Sequence, residues 1–398
     1  MPVEVIFFNV GQGDCTFLWF YDVVGGGGGA GPAPLANRQG RAAALIDCGS
    51  LKPVAHRSTV GQPGTAEQRM VRHIDSVIAD RLQRNAGAKQ NVLDYLFLSH
   101  ADADHFNQLG SVLGDSSGKL KYRIENVWYT GEAKEYKNKN TSFVYRMLKS
   151  NLRNQLFNGN NIIVNPPEDK GLFDRVMPVP GIPELSLLCS RLVAKIGSRE
   201  VTSTVPGSRN STSKNASSLV LMLSGETPQG STDRQKVLLM ADAETGVEQF
   251  LMDSDRHSGN YSRTANLWLK AGHHGSAYAT STEWLEHTTP DAVFFSSGTK
   301  VFGPTGMPSG VELERIEEAL DDSGLHQPDI TPPGNHHYGF FDSKAKPKKF
   351  DTGSTSKGIC TSLFQAPPPA PAQGEWLGVD WHLILDDPQP GGYHLEYV

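Results

Sequence analysis

Four apolar runs in this chain each end in side chains that can hold a metal ion, and no other feature limits its fold as strongly. Ala42 to Ile46 runs into Asp47-Cys48-Gly49, and Leu93 to Leu98 runs into Ser99-His100-Ala101-Asp102-Ala103-Asp104-His105. Val237 to Met240 runs into Ala241-Asp242-Ala243-Glu244, and Leu267 to Ala271 runs into Gly272-His273-His274-Gly275-Ser276. Short, largely apolar runs of this length read as strands covered on both faces. One strand ending in Asp means little. Strands ending in turn in Asp, a His/Asp cluster, Asp and paired His predict a sheet layout that carries these ends to a common edge.

The second of these runs is the densest. A loop leaving a strand fans successive side chains apart, so His100 and Asp102 point one way while Asp104 and His105 point another, which suits two adjacent cations better than one. Imidazole with carboxylate matches Zn²⁺, Mn²⁺ or Fe²⁺, whereas an all-oxygen cage would suit Ca²⁺ or Mg²⁺. The first expectation is therefore a metal-dependent hydrolase.

With these segments the chain resembles the metallo-β-lactamase fold superfamily, whose motif is an H-x-H-x-D-H loop between strand-end Asp and His residues. More narrowly it resembles the branch typified by the hydrolase domain of the competence DNA-uptake protein ComEC. That likeness rests on Asn9-Val10-Gly11-Gln12-Gly13-Asp14-Cys15, His100 to His105, Asn215-Ala216-Ser217-Ser218-Leu219-Val220-Leu221, Met240 to Glu244 and Leu269 to Ser276, spanning roughly residues 3 to 310. The resemblance implies an α/β chain folded as a four-layer αββα sandwich, with residues 1–340 forming the hydrolase domain and 341–398 a C-terminal extension.

It also implies roles. His100 and Asp102 would hold one ion, and Asp104, His105 and one of His273 or His274 a second, with Asp242 bridging. His274 is preferred as the ligand and His273 as a catalytic or substrate-contacting residue, although strand parity does not choose between them. Asp104 would orient the attacking water, Asp47 would orient the loop, and Asn215 and Ser276 would lie beside the ions or substrate. The implied cofactor is a pair of divalent ions, Zn²⁺ or Mn²⁺. Asp102 stands where the superfamily has His, which favours the harder Mn²⁺. A ligand His expected before Asp242 is missing, since Lys214 to Ser218 offers only Asn215 and hydroxyls, so the first ion should be weakly held. Gly306-Met307-Pro308 likewise replaces the branch's Gly-His-Pro.

Paired ions suit in-line displacement at phosphorus. The leading expectation is a phosphodiesterase or nuclease acting on DNA or a nucleotide. Ester or thioester hydrolysis on the same fold, or a regulatory module with a degenerate site, are the alternatives. A net charge of -6 argues against a strongly basic nucleic-acid binder and leaves room for a local basic groove. Candidates are Lys134, Lys137 and Lys139, then Arg199, Arg209 and Lys214, then Lys344, Lys346, Lys348 and Lys349.

The cysteines Cys15, Cys48, Cys189 and Cys360 form no C-x-x-C pair, and read as reduced thiols of a cytoplasmic protein. No apolar run approaches the ~20 residues of a membrane span.

Among the remaining elements, Thr65 to Leu82 is expected to be an amphipathic helix opened by a Thr65/Gln68 capping box. Phe143 to Leu156 and Ser309 to Leu320 read as further helices, and Asp291 to Phe295 as a buried strand. Gly25 to Pro34 reads as a low-complexity connection, and residues 199 to 217 as a Ser/Thr-rich loop beside the site. Past the Pro367–Pro371 linker, Trp376 to Leu385 should add an edge strand or dock a protein partner. His336 and His337 read as surface residues.

Overall fold

A computed structural model describes residues 2–25, 33–130, 133–137, 142–149, 163–164, 177–189, 193–196, 199–202, 214–225, 235–258, 267–290, 292–297, 301–302, 305–322, 338–341, 347–350, 359–360, 363–365, 376–378, 380–385 and 393–397. The fold is mixed α/β, with two large mixed sheets and helices.

The first sheet has eight strands. From one edge they are Tyr393–Tyr397, Trp381–Leu385, Val3–Phe7, Thr16–Val23, Arg38–Ile46, Val92–Leu98, Arg123–Tyr129 and Ile163–Val164. Arg38–Ile46, Val92–Leu98 and Arg123–Tyr129 run parallel, so the residues after Ile46 and Leu98 emerge side by side. The second sheet has seven strands. Within it Lys236–Leu239, Leu267–Lys270 and Ala292–Phe294 run parallel and deliver Asp242 and the His273-His274 pair to neighbouring strand ends.

Alternation along Thr16–Val23 shows why the runs read as continuously apolar. Phe17, Trp19 and Tyr21 pack into a core with Met70, Ile74, Ile78 and Leu82 of the Ala66–Gln83 helix. Leu18 and Phe20 point the other way, into a core shared with Leu221, Leu239, Trp268 and Phe294 of the second sheet. Successive strand side chains face opposite sides, and here both sides are covered. Phe7 and Phe294 stack across the two sheets with ring centroids 4.7 Å apart. A third core sets Val247, Leu251, Trp284, Leu285 and Ile316, from helices Thr245–Ser258, Thr282–Thr288 and Gly310–Asp322, against the outer face of the second sheet.

The capping box is present as expected: Thr65 Oγ1 accepts from Gln68 N at 3.2 Å, and Gln68 Oε1 accepts from Thr65 N at 3.0 Å. Ser309 caps the Gly310–Asp322 helix through Glu312 N at 3.1 Å. The helix expected from Phe143 is Ser142–Leu148, and residues 150 to 156 lie outside the described residues. Two expectations need correction. Arg199–Thr202 is not loop but a strand paired antiparallel with Val193–Ile196. Trp376 to Leu385 splits in two: Trp376–Gly378 joins a small sheet with Leu363–Gln365 and Ala55–His56, while Trp381–Leu385 lies inside the large sheet, because Tyr393–Tyr397 takes the edge. Residues 26–32 of the low-complexity connection, residues 203–213, the proline linker, His336 and His337 lie outside the described residues, as do Lys139, Arg209, Lys344 and Lys346.

A buried carboxylate fixes the Trp381–Leu385 strand in place. Glu4 accepts from Arg81 Nε at 2.8 Å and Nη2 at 3.0 Å, and from His382 Nδ1 at 2.9 Å. Burial alone would raise its pKa, but hydrogen bonds from His382 and Arg81 bring it well below the usual carboxylate range. Cys15 and Cys48 are buried free thiols within the first core. No helix among the described residues is long and apolar enough to cross a membrane.

Candidate metal centre

Three of the chain segments that reach the centre turn sharply as they leave their strands. Asp47 (φ 56°), Ala241 (φ 50°), His273 (φ 44°) and His274 (φ 55°) all take the left-handed conformation, which is uncommon and strained away from glycine. The turns are locked by main-chain bonds between segments: Cys48 N donates to His105 O at 2.7 Å, Leu219 N to Ser99 O at 2.9 Å, and His273 N to Ala241 O at 2.9 Å. Close approach demands small residues here. A Cβ on Gly49 would lie 2.4 Å from the Asp104 carbonyl, and one on Gly272 would lie 2.2 Å from Ala243 O.

Four imidazoles meet inside this frame, and each is held by its Nδ1. His105 Nδ1 donates to Asp47 Oδ2 at 2.8 Å, and His274 Nδ1 to Ser296 O at 2.6 Å. His273 Nδ1 lies 3.0 Å from Glu244 Oε1, which also accepts from Asn215 Nδ2 at 3.1 Å. Ser99 Oγ gives its proton to Asp47 Oδ2 and can therefore accept from His100 Nδ1 at 3.1 Å. At His105 and His274 a partner that can only accept fixes the proton on Nδ1 and leaves the Nε2 lone pair for an ion, while His273 Nδ1 faces both the Glu244 carboxylate and, at 3.4 Å, the Asn215 amide donor.

The Nε2 atoms converge with two carboxylates. His105 Nε2 and His274 Nε2 are 3.3 Å apart; His274 Nε2 is 3.4 Å from Asp104 Oδ2 and 3.5 Å from Asp242 Oδ1, and His105 Nε2 is 3.0 Å from Asp242 Oδ1. Ligand atoms ~2.1 Å from one four-coordinate ion lie about 3.4 Å from each other. These four separations match that spacing, with Asp104, His105 and His274 forming one group and Asp242 joining His105 to His100. The other side of Asp242 is more open: its Oδ2 is 3.4 Å from His100 Nε2 and 3.8 Å from His273 Nε2, with Asp102 Oδ2 3.7 Å from His100 Nε2. His100 Nε2 is buried and makes no hydrogen bond. Such an orphaned atom costs free energy unless something binds it.

The charges favour a cation. Burial would raise the pKa of Asp104, but hydrogen bonding to His274 and the nearby His105 hold it at about 2, and Asp242 is also held well below the usual range. Burial would lower the pKa of both His105 and His273, yet Asp242 and Asp47 raise that of His105 well above the ordinary imidazole value, and Asp242 and Glu244 raise that of His273. The field that holds extra protons here would equally hold metal, and uptake of an ion would release those protons.

Each residue expected at the site is thus placed. His100, Asp104, His105, Asp242 and His274 form the interior, and Asp47 steadies His105 from behind. The adjacent histidines divide, with His274 on the Asp104 side of Asp242 and His273 on the His100 side. Asp102 lies at the rim with Oδ1 2.7 Å from Lys214 Nζ. Asn215 reaches Glu244 and His273. Ser276 instead closes its own loop, its Oγ accepting from Tyr278 N at 3.3 Å. Met307 Sδ accepts from Gln12 Nε2 at 3.9 Å. Sequence reading missed Ser99, Glu244, Ser296 and the buried Lys270–Asp14 pair. Ser99, Glu244, Asp14 and Lys270 stood within the motif segments, and only Ser296 lay outside them.

Compared with models of known families and with curated proteins, the chain matches none.

A second His/Asp group, His56, His73 and Asp380, is built differently. His56 and His73 stack with centroids 3.5 Å apart, and His73 Nε2 donates to Asp380 Oδ2 at 2.6 Å. Ser58 N donates into His56 Nδ1 at 3.1 Å, which puts the proton of a neutral His56 on Nε2, facing Asp380. With a proton in the ligating position, this group is a hydrogen-bonded brace for the start of the Trp381–Leu385 strand.

Proposed function

We propose that this chain is a metal-dependent hydrolase with the four-layer metallo-β-lactamase sandwich, resembling the ComEC-type hydrolase domain, and that it cleaves phosphodiesters in DNA or nucleotides. One observation carries the reading: His100, His105, His273 and His274 are each held at Nδ1 from outside, with Nε2 turned towards Asp242 and Asp104. Further support comes from the stacking of helices, sheet, sheet and helices around three cores, with the site at the ends of parallel strands of both sheets.

Asp104, His105, His274 and Asp242 Oδ1 would hold one divalent ion, Zn²⁺ or Mn²⁺. His100, His273 and Asp242 Oδ2, with Asp102 at the rim, would hold a second more loosely. Such ions, when bound, supply Lewis acidity and bring the pKa of water near ~7. Asp104 orients the attacking water, Asp47 and Glu244 keep the imidazoles in their ligating tautomer, and the left-handed turns hold these groups before substrate arrives.

The test is hydrolysis of bis(p-nitrophenyl) phosphate by metal-stripped protein given Mn²⁺ or Zn²⁺, comparing wild type with Asp104→Ala. Activity restored by an ion and lost in the variant supports the reading; inactivity of both proteins with both ions overturns it. The wider spacing around His100 supports a second reading, a one-ion binding module, which would take up about one equivalent of metal and hydrolyse nothing.

A further inference from the structure

Resting on the reading above, we propose that Lys214 is the anion-binding residue of the site and sets its preference for negatively charged esters. Its backbone is built into the metal-centre frame. Lys214 immediately precedes the Asn215–Ser217 turn, Asn215 bonds Glu244, and Leu219 N donates to Ser99 O, directly before His100. The ammonium donates to Ala101 O at 3.0 Å and to Asp102 Oδ1 at 2.7 Å. An ammonium has three donors. These two acceptors use two of them, and among the described residues the third has none.

An ordinary half-exposed ion pair would have little energetic consequence, and the 37% exposure of Lys214 fits that description taken alone. The surroundings argue for more. Asp47, Asp102, Asp104, Asp242 and Glu244 crowd one small volume, and the other lysine nearby, Lys270, is buried against Asp14. A phosphodiester approaching such a centre meets carboxylate repulsion that bound ions offset only in part. Lys214 is the described cation at the solvent-facing rim that touches a candidate ligand. Asp102 can serve both sides, with Oδ1 steering the ammonium and Oδ2 facing His100. A lysine acts on phosphate as a compact point charge, so the contact selects for charge and not for shape.

The experiment uses the full chain loaded with Mn²⁺, as wild type, Lys214→Met and Lys214→Arg. Metal content is measured first, then inorganic phosphate binding by calorimetry, then KM and kcat for bis(p-nitrophenyl) phosphate and for the neutral ester p-nitrophenyl acetate. Loss of one charge-assisted contact should weaken phosphate binding about tenfold and raise the diester KM by a similar factor in Lys214→Met. Metal content and the neutral ester should be unchanged, and Lys214→Arg should recover most of the loss. Equal phosphate affinity in wild type and Lys214→Met overturns the proposal while leaving the metal centre standing. Lost metal in Lys214→Met also overturns it, by making Lys214 a support for Asp102. A wild type that takes up no ion removes the metal-centre reading and this proposal together.

Discussion

Asp47 Oδ2 lies 2.8 Å from Nδ1 of His105, joining the end of one parallel strand to the loop after its neighbour. Asp47 also accepts from Ser99 N and Ser99 Oγ, so one carboxylate orients two of the four imidazoles, His105 directly and His100 through Ser99. Asp47→Asn keeps the shape and tolerates the left-handed backbone, but its single acceptor oxygen cannot serve all three donors. Metal affinity should fall about 10- to 100-fold with little change in fold. Zn²⁺ titration by calorimetry, with circular dichroism as the control, checks this; unchanged affinity would remove the role assigned to Asp47.

Glu244 does for His273 what Asp47 does for His105, on the other side of Asp242. Glu244→Gln should therefore weaken the looser site while leaving the Asp104/His105/His274 site loaded. Metal content should drop from about two equivalents to about one at limiting ion, by the two-site logic above. Equal loss from both sites would contradict the division of His273 from His274.

Gly49 offers a way to disturb the centre without touching a ligand. A methyl there would press 2.4 Å against the Asp104 carbonyl and 2.6 Å against His105 N, on backbone tied by Gly49 N to Asp14 O. Gly49→Ala should cost about 1–3 kcal/mol of stability and lower metal affinity as well. Urea unfolding and metal titration measure the two effects, and wild-type affinity in this variant would show that the contact yields.

Glu248 gives the fold a pH dependence away from the metal centre. It is fully buried, and burial lifts its pKa to about 6 even though Thr280 N and Ser281 N donate to it. The folded state then holds more protons than the unfolded state between pH 4.5 and about 6, so this group's contribution to stability is lost as pH rises through that window. The loss amounts to ~2 kcal/mol. Glu248→Gln cannot titrate, so its stability relative to wild type should rise by that amount between pH 4.5 and pH 7 in paired urea unfolding. A constant difference across the window would sink the assignment.

Local signals were the ones legible in the sequence. Thr65 and Gln68 sit one helical turn apart and announce the helix start, because a cap is satisfied within four residues. The strands ending at Ile46 and Leu98 were readable since both of their faces are apolar. Arg199–Thr202 was misread because its Ser/Thr-rich context resembles a loop and its partner strand lies outside the segment. The edge position of Tyr393–Tyr397 was missed for a similar reason, since strand order in a sheet is a long-range property.

The sequence by itself determined which ligand types exist and that each follows a strand, because residue chemistry and strand periodicity are properties of short stretches. Only the tertiary structure decided which nitrogen of each imidazole faces inward, that His273 and His274 part around Asp242, and that Asp102 pairs with Lys214. Those outcomes depend on hydrogen bonds between segments far apart in the chain, such as His105 with Asp47 and His274 with Ser296. A strand end fixes where a side chain begins, and its distant partner fixes where it points.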